Sequence, residues 1–390
     1  MLRFRPLPWE YGVRNLLRRP GRSALTLGGL TIVVLLVLVV TAFVRGLERT
    51  LAVSGDPRVA IIYSLGTGEN VEYSSVSMST VDLLKASVAG VEERFGQPAV
   101  SGELYLGTQI VPREGGEPTM GLVRGVTPSV LLVRSQVQIT AGTWPQAGEV
   151  LVGRLAAAKL GWREEELAPG STLEFEGKTW RVSGTFAAGG SAFESEMWCP
   201  VEDLQQAMKR WDLSLVAVKV GSAGDFGEVS LFCKENRRTL EIESQPETAY
   251  YASLKRHYLH VRIMGWIVVA LIAGAGVFAG LNTMYGAVVG RIRELAMLQT
   301  IGFLRRAIAM SLMQEGTILA AAASLMATVL AVTFINGVAV RFTMGAFALR
   351  VDSFTLLVGC AAGLLLGPLG ALPAAVRALR ESIVNGLRAV

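Results

Sequence analysis

Four apolar blocks, each without a charged residue, interrupt the chain at residues 24–44, 263–290, 316–340 and 353–376. Each reaches or exceeds the ~20 residues that carry a helix across ~30 Å of hydrocarbon. They are too long and too clean for the core helices of a soluble domain, so they predict four transmembrane helices. The first block is longer than the apolar part of a secretory signal, and no A-x-A-like cleavage site follows it. Arg18-Arg19 lacks the rest of a twin-arginine signal, and a retained anchor is the reading.

Between the first two blocks the pattern changes. Residues 58–63, 104–111, 120–126 and 215–220 read as strands bounded by turn residues. Residues 171–186 alternate apolar and polar on both sides of Glu176-Gly177, which predicts a β-hairpin. Helical patterns fall at 79–95, at 201–211 and, after Pro246, at 247–261, the last able to run unbroken into the second span. The predicted fold class is an α-helical membrane protein with four transmembrane helices and a large α+β extracytoplasmic domain between the first two.

Composition agrees: 51% of the 390 residues are hydrophobic and 18% charged, against about a quarter charged in soluble domains. The net charge of +5 is unevenly placed, because arginines crowd beside the spans. Arg3, Arg5, Arg14, Arg18, Arg19 and Arg22 precede the first span, Arg291, Arg293, Arg305 and Arg306 follow the second, and Arg377, Arg380 and Arg388 follow the fourth. Four spans put these segments on one side, which the positive-inside rule makes the cytoplasm. Lys255, Arg256 and Arg262 dissent, but they end a long translocated domain where the rule is weak. The organisation is then a cytoplasmic amphipathic helix (1–23), a first span (24–44), an extracytoplasmic domain (45–262), a second span (263–290) and a cytoplasmic coupling segment (291–306). A third span (307–340), a short external loop (341–352), a fourth span (353–376) and a cytoplasmic tail (377–390) complete it. Such charge points to a membrane surface and not to nucleic acid.

Catalytic chemistry is missing. The sequence contains no G-x-x-x-x-G-K-[ST], G-x-S-x-G or H-E-x-x-H pattern. Gly66-Thr67-Gly68 alone reads as a turn. His257 and His260 are the only histidines; with Tyr258 and Trp266 they read as a basic-aromatic belt at the membrane surface, since no third metal ligand is evident. Of three cysteines, Cys360 lies in a span, leaving Cys199 and Cys233 as the pair that could bridge outside. Within the spans only Glu315 offers an acid, near the start of the third, and one acid close to an interface makes no proton relay. Gly276 and Gly280, and Gly359, Gly363 and Gly367, form small-residue rows suited to close helix packing within the chain or against a second copy.

Several segments resemble the MacB/FtsX-type ABC transporter permease family. Gly12-Val13-Arg14-Asn15-Leu16-Leu17-Arg18-Arg19-Pro20-Gly21-Arg22 is similar to the short amphipathic helix leading into its first span. Arg291-Ile292-Arg293-Glu294-Leu295-Ala296, followed by Thr300-Ile301-Gly302, resembles its R-x-R-E-[IL]-[AG] run and glycine turn. Gln314-Glu315-Gly316 and the closing Pro373-Ala374-Ala375-Val376-Arg377 with Gly386-Leu387-Arg388 are similar as well, with Gly386 where alanine is usual. Gly125-Val126-Thr127-Pro128, Gly148-Glu149-Val150-Leu151-Val152-Gly153 and the following hairpin resemble the periplasmic core domain.

The resemblance implies a permease in the bacterial inner membrane with both termini cytoplasmic, driven by a separate ABC ATPase dimer. ATP and magnesium would bind to that partner, with no cofactor on this chain. It implies a second permease copy, most simply as a homodimer, and a periplasmic adaptor. ATPase coupling would fall to Arg291, Arg293, Glu294, Leu295, Thr300 and Gly302. Ser191-Ala192-Phe193-Glu194-Ser195-Glu196 resembles a motif of adaptor-linked members and favours export. MacB itself carries its ATPase on the same chain, which is a departure. Two rivals stand beside this reading. A membrane-anchored sensor or scaffold needs no ATPase and predicts a tolerant 291–306 segment; a conduit permease predicts a polar path from Asn282, Thr283 and Asn336.

Overall fold

A computed structural model describes residues 9–380 except 19, 69, 113–116 and 343–344. Arg3, Arg5, Arg19, Arg388 and the Gly386-Leu387-Arg388 end of the closing motif lie outside the described residues. The main helices are α1 (Trp9–Arg18), α2 (Pro20–Ser54), α3 (Ser79–Ser87), α4 (Val201–Met208), α5 (Glu247–His257), α6 (Leu259–Val289), α7 (Ile292–Thr300), α8 (Arg305–Leu330) and α9 (Ser353–Arg380). Two compact units result. One is Met1–Arg45, His260–Val338 and Leu349–Val390; the other is Gly46–Leu259 and Ala339–Ala348.

Among the described residues, the helices Pro20–Ser54, Leu259–Gly286, Arg305–Ile335 and Ser353–Pro373 are long and apolar enough to cross a membrane. The first and third are longer than their uncharged blocks, because helical hydrogen bonding continues past the point where charge returns. The third ends in a single wider turn, Ala331–Ile335. The fourth continues through Pro368 and Pro373. Its start is fixed by Asp352, whose carboxylate accepts the Thr355 backbone N–H at 2.9 Å and the Arg45 Nη2 at 2.7 Å. An Asp at this position satisfies an otherwise orphaned helix donor.

The second unit is built on one ten-stranded sheet. Its strands are β1 (Val59–Ser64), β2 (Val100–Pro112), β3 (Thr119–Val126), β4 (Gln138–Gly142), β5 (Glu149–Gly153), β6 (Thr172–Phe175), β7 (Lys178–Ala187), β8 (Glu196–Pro200), β9 (Leu215–Lys219) and β10 (Ile242–Pro246). The order is β10-β1-β9-β2-β3-β8-β5-β7-β4, with β6 joining β7 back to β2. The path β2-β3-β8-β5-β7-β6 therefore returns on itself, which removes free edges. The long strand β2 links the two parts: Val100–Glu103 pair with β9 and Leu104–Ile110 with β3.

The hairpin at Glu176-Gly177 forms as its alternation predicts. Both turn residues take positive φ, 50° and 68°, the geometry that matches strand twist. Across it Phe175 and Trp180 stack at 4.6 Å. The other main-strand positions read from sequence lie in β1, β2, β3 and β9.

Three expectations are corrected. The helix expected over 79–95 stops at Ser87, because Phe95 and Gly96 turn at positive φ and fold Glu93–Arg94 against Gln97–Pro98. The helix expected over 201–211 ends at Met208, capped by Lys209 in the left-handed region. The helix from 247 is interrupted at Tyr258 before α6 begins. In the short loop after the third span, Ala339–Phe342 (β11) and Gly345–Ala348 (β12) pair as a hairpin that belongs to the sheet-bearing unit. Cys199 on β8 and Cys233 in the Phe226–Glu235 helix are both free and buried. Burial pushes the Cys233 thiol up to about 11.

Candidate functional site

The coupling segment is a two-sided helix. On the inner side of α7, Leu295 and Ala296 are buried, and Leu295 packs with Met284, Val288, Ile308, Leu312 and Ala375. Arg291, just before the helix, is also turned inward, with its Nη1 3.2 Å from both carboxylate oxygens of Glu315. Helix α7 stops at Gly302, whose φ of +100° suits a residue without Cβ. There Phe303 N–H bonds Leu298 O and Gly302 N–H bonds Gln299 O, both at 3.1 Å, which is the Schellman pattern.

The outer side of the same segment carries Arg293, Glu294, Met297, Thr300, Ile301 and Gly302, all exposed. Ile301 is 74% exposed and Met297 47%. Of the six positions expected to couple, then, four share this surface, while Arg291 and Leu295 hold the segment to its own unit.

The span glycines lie where backbones come close. A Cβ at Gly276 would stand 2.6 Å from Val33 Cγ1, and one at Gly359 would stand 2.3 Å from Leu38 Cδ2. At Gly363 it would meet Ser324 Oγ at 2.0 Å, and at Gly367 the Gly316 carbonyl at 2.6 Å. Gly280 faces Gly370 more loosely, at 3.8 Å. All five face other helices of the same unit. Asn336 and Thr283 are committed locally: Asn336 Oδ1 accepts the Val351 N–H at 3.1 Å and Thr283 donates to Ala279 O at 2.8 Å.

The sheet-bearing unit hides a five-residue ion network. Arg124, from β3, donates through Nε to Glu196 Oε2 at 2.7 Å and also binds Glu103. Arg134 reaches Glu103 Oε1 at 3.1 Å and binds Glu247 at the start of α5. The five side chains are each 4% exposed or less. Arg124 also lies over the Tyr105 ring at 4.0 Å, and Trp198 Nε1 donates to Glu196 at 2.9 Å. Burial alone would raise the Glu103 carboxyl, but Arg134 and then Arg124 more than offset it and hold it below its ordinary value. Glu247 contacts only one of the two guanidiniums, and burial pushes its carboxyl up.

This network meets the residues just after α2 and the first residue of α5. Glu247 Oε2 accepts the Asp56 N–H at 3.0 Å, two residues beyond α2, while Glu247 itself opens α5. Beside it Ser54 Oγ accepts the Ala192 N–H at 2.8 Å. A break anywhere in the set would leave a buried charge uncompensated.

The family model of the MacB-like periplasmic core domain matches residues 23–230. The chain belongs to that family. It is an ABC transporter permease-type protein of the MacB/FtsX kind. Among curated proteins none matches. Solved structures similar to part of it include the periplasmic region of MacB from Actinobacillus actinomycetemcomitans, 12% identical with TM-score 0.39 over 51% of this chain and 92% of that one. The extracellular domain of the noncanonic ABC-type transporter YknZ from Gram-positive bacteria is 19% identical, with TM-score 0.37 over 48% and 99%. A domain of a putative permease from Porphyromonas gingivalis is 17% identical, with TM-score 0.34 over 48% and 89%.

The stretch 191–196 of this MacB-like chain points inward. Ser191, Phe193, Glu194, Ser195 and Glu196 are buried, and Glu194 binds the backbone N–H groups of Ala188 and Gly190 at 2.8 and 3.0 Å. The ion network went unread in the sequence, although Arg124 inside the apolar run Leu122-Val123-Arg124-Gly125-Val126 was a signal for a buried charge. Its partners lie 21 and 72 residues away, and only folding brings them together.

Proposed function

We propose that this chain is the membrane subunit of a MacB-like transporter that converts ATP-driven motion of a separate ATPase dimer into rearrangement of its extracytoplasmic domain. The two-sided α7 segment carries this reading. Its buried side makes it part of the membrane unit, so a push on its exposed side moves the helices it packs against. The exposed row combines Arg293, Glu294, Met297, Thr300 and Ile301, the mixture of charge and apolar surface that a helix lays into a protein groove. In this reading both termini and α7 lie in the cytoplasm of a bacterial inner-membrane protein, and two copies of the chain share the ATPase dimer.

Motion would leave the membrane unit through α2 and α5. The residues just after α2 and the start of α5 meet the Glu247–Arg134–Glu103–Arg124–Glu196 network, which links them to β2, β3 and β8. The work serves export or extraction with a periplasmic adaptor, which would meet residues other than the internal 191–196 stretch. A conduit through the four helices is less well supported, because Asn336 and Thr283 are committed to backbone partners and Glu315 to Arg291. Affinity capture of the solubilised chain with its ATPase, beside an Arg293→Glu/Glu294→Arg variant, tests the docking surface.

A further inference from the structure

The sheet-bearing unit contains a partly open cavity of about 220 Å³ whose walls come from α2, the Val71–Tyr73 turn, β2, β3, α5 and the β11–β12 hairpin. All these residues belong to one unit. The volume is below the ~300–1,000 Å³ of pockets for drug-sized ligands, so it suits a compact group.

A third of the lining is aromatic, including Tyr105, Tyr250, Tyr251, Tyr258, Phe342 and Phe347. Tyr258 and Phe342 meet at 5.3 Å, as do Tyr250 and Tyr251, so the rings are held by one another and not merely collected. Leu47, Leu51 and Leu254 supply aliphatic surface.

Three charged side chains reach the wall, and two of them cancel. Arg124 and Glu196 are bound to each other through two nitrogen–oxygen contacts. Glu72 is left. Its carboxylate lies over β2 at Gly107, where a Cβ would stand 3.1 Å from Oε1. Arg210 binds the Glu72 carbonyl at 3.2 Å but turns its other donors to Ser74 O and Asp212. No hydrogen bond or ion pair engages the Glu72 carboxylate among the described residues. Half-burial of this group raises its pKa, since part of its hydration is lost.

An aromatic enclosure with one uncompensated carboxylate is complementary to a cation that carries apolar substituents. The ring faces attract positive charge, and they hold alkylated ammonium groups well because these are weakly hydrated. We propose that this cavity binds a compact amphipathic organic cation, its ammonium group at Glu72 among the tyrosines and its apolar body against Leu47, Leu51 and Leu254. Such a ligand would touch α2, α5 and the hairpin at once. The proposal does not depend on the ATPase reading, since binding needs only this chain.

The test uses the full chain in phosphatidylcholine nanodiscs and titration calorimetry, with empty nanodiscs as the blank. The probe is benzyltrimethylammonium, with the uncharged isostere neopentylbenzene beside it. Saturable binding of the cation is expected, weakened at least tenfold in Glu72→Gln and several-fold in Tyr258→Leu, with unchanged thermal unfolding of Glu72→Gln. Equal affinity in Glu72→Gln, tighter binding of the isostere, or no saturable binding of the cation would each overturn the proposal. The second outcome would assign the cavity to neutral apolar chains such as lipid.

Discussion

Two sets of arginines and glutamates in this molecule use the same chemistry in opposite ways. In the sheet-bearing unit, Glu103, Arg124, Arg134, Glu196 and Glu247 are turned inward and bound to one another. On α7, Arg293 and Glu294 are turned outward, and neither forms an ion pair among the described residues. Buried charges lose their hydration and need matched partners, so such a network fixes geometry more than it adds stability. Exposed charges contribute little to folding and remain available to another surface. The first set suits holding parts of one chain in register, and the second suits meeting a partner.

The largest break in this contrast should come from Glu103→Ala, which strips a shared partner from two buried guanidiniums. A loss of about 3–5 kcal/mol is expected, read as a fall in the thermal unfolding midpoint. Glu247→Gln should cost less, since burial already raises that carboxyl and it has one arginine partner. The two acids also have opposite pH signatures. Glu103, held below its ordinary value of 4.5, contributes stability that is present above that value and is lost as pH falls through its lowered pKa. Glu247, held above 4.5, contributes stability that is present below that value and is lost as pH rises through its raised pKa. Glu247→Gln should therefore flatten only the higher-pH part of the stability profile.

A smaller effect is expected at the end of α7. Gly302→Ala forces a Cβ into the left-handed region at a cost of about 1 kcal/mol, measurable as faster amide exchange over 298–303. Smallest of all on stability is the reversal Arg293→Glu/Glu294→Arg, which should stay within about 0.5 kcal/mol of the unaltered chain. A large destabilisation there would mean the charges have internal partners, and the contrast would fail.

Sequence pattern made much of this legible because it depends on local periodicity. The four spans follow from uncharged length, and the Glu176-Gly177 hairpin from alternation around a turn dipeptide. The exposed and buried sides of α7 were not separated, since Arg291 and Leu295 share a motif with Arg293 and Glu294 yet face inward. That division depends on helices α6, α8 and α9 arriving on one side. The β11–β12 hairpin was missed because four-residue strands between two long spans read as a loop. The aromatic cavity was out of reach for a similar reason: Glu72, Tyr105, Tyr258 and Phe347 are remote in sequence and share no periodic signal.

The most direct test of the central claim is recovery of an ABC ATPase with the solubilised chain from its native cells, comparing the unaltered protein with Arg293→Glu/Glu294→Arg. The account predicts that an ATPase co-purifies with the unaltered chain and is lost from the variant, while both unfold at the same temperature. An equally folded variant that retains the ATPase would contradict the docking surface, and a folded unaltered chain without any ATPase would contradict the coupling role itself.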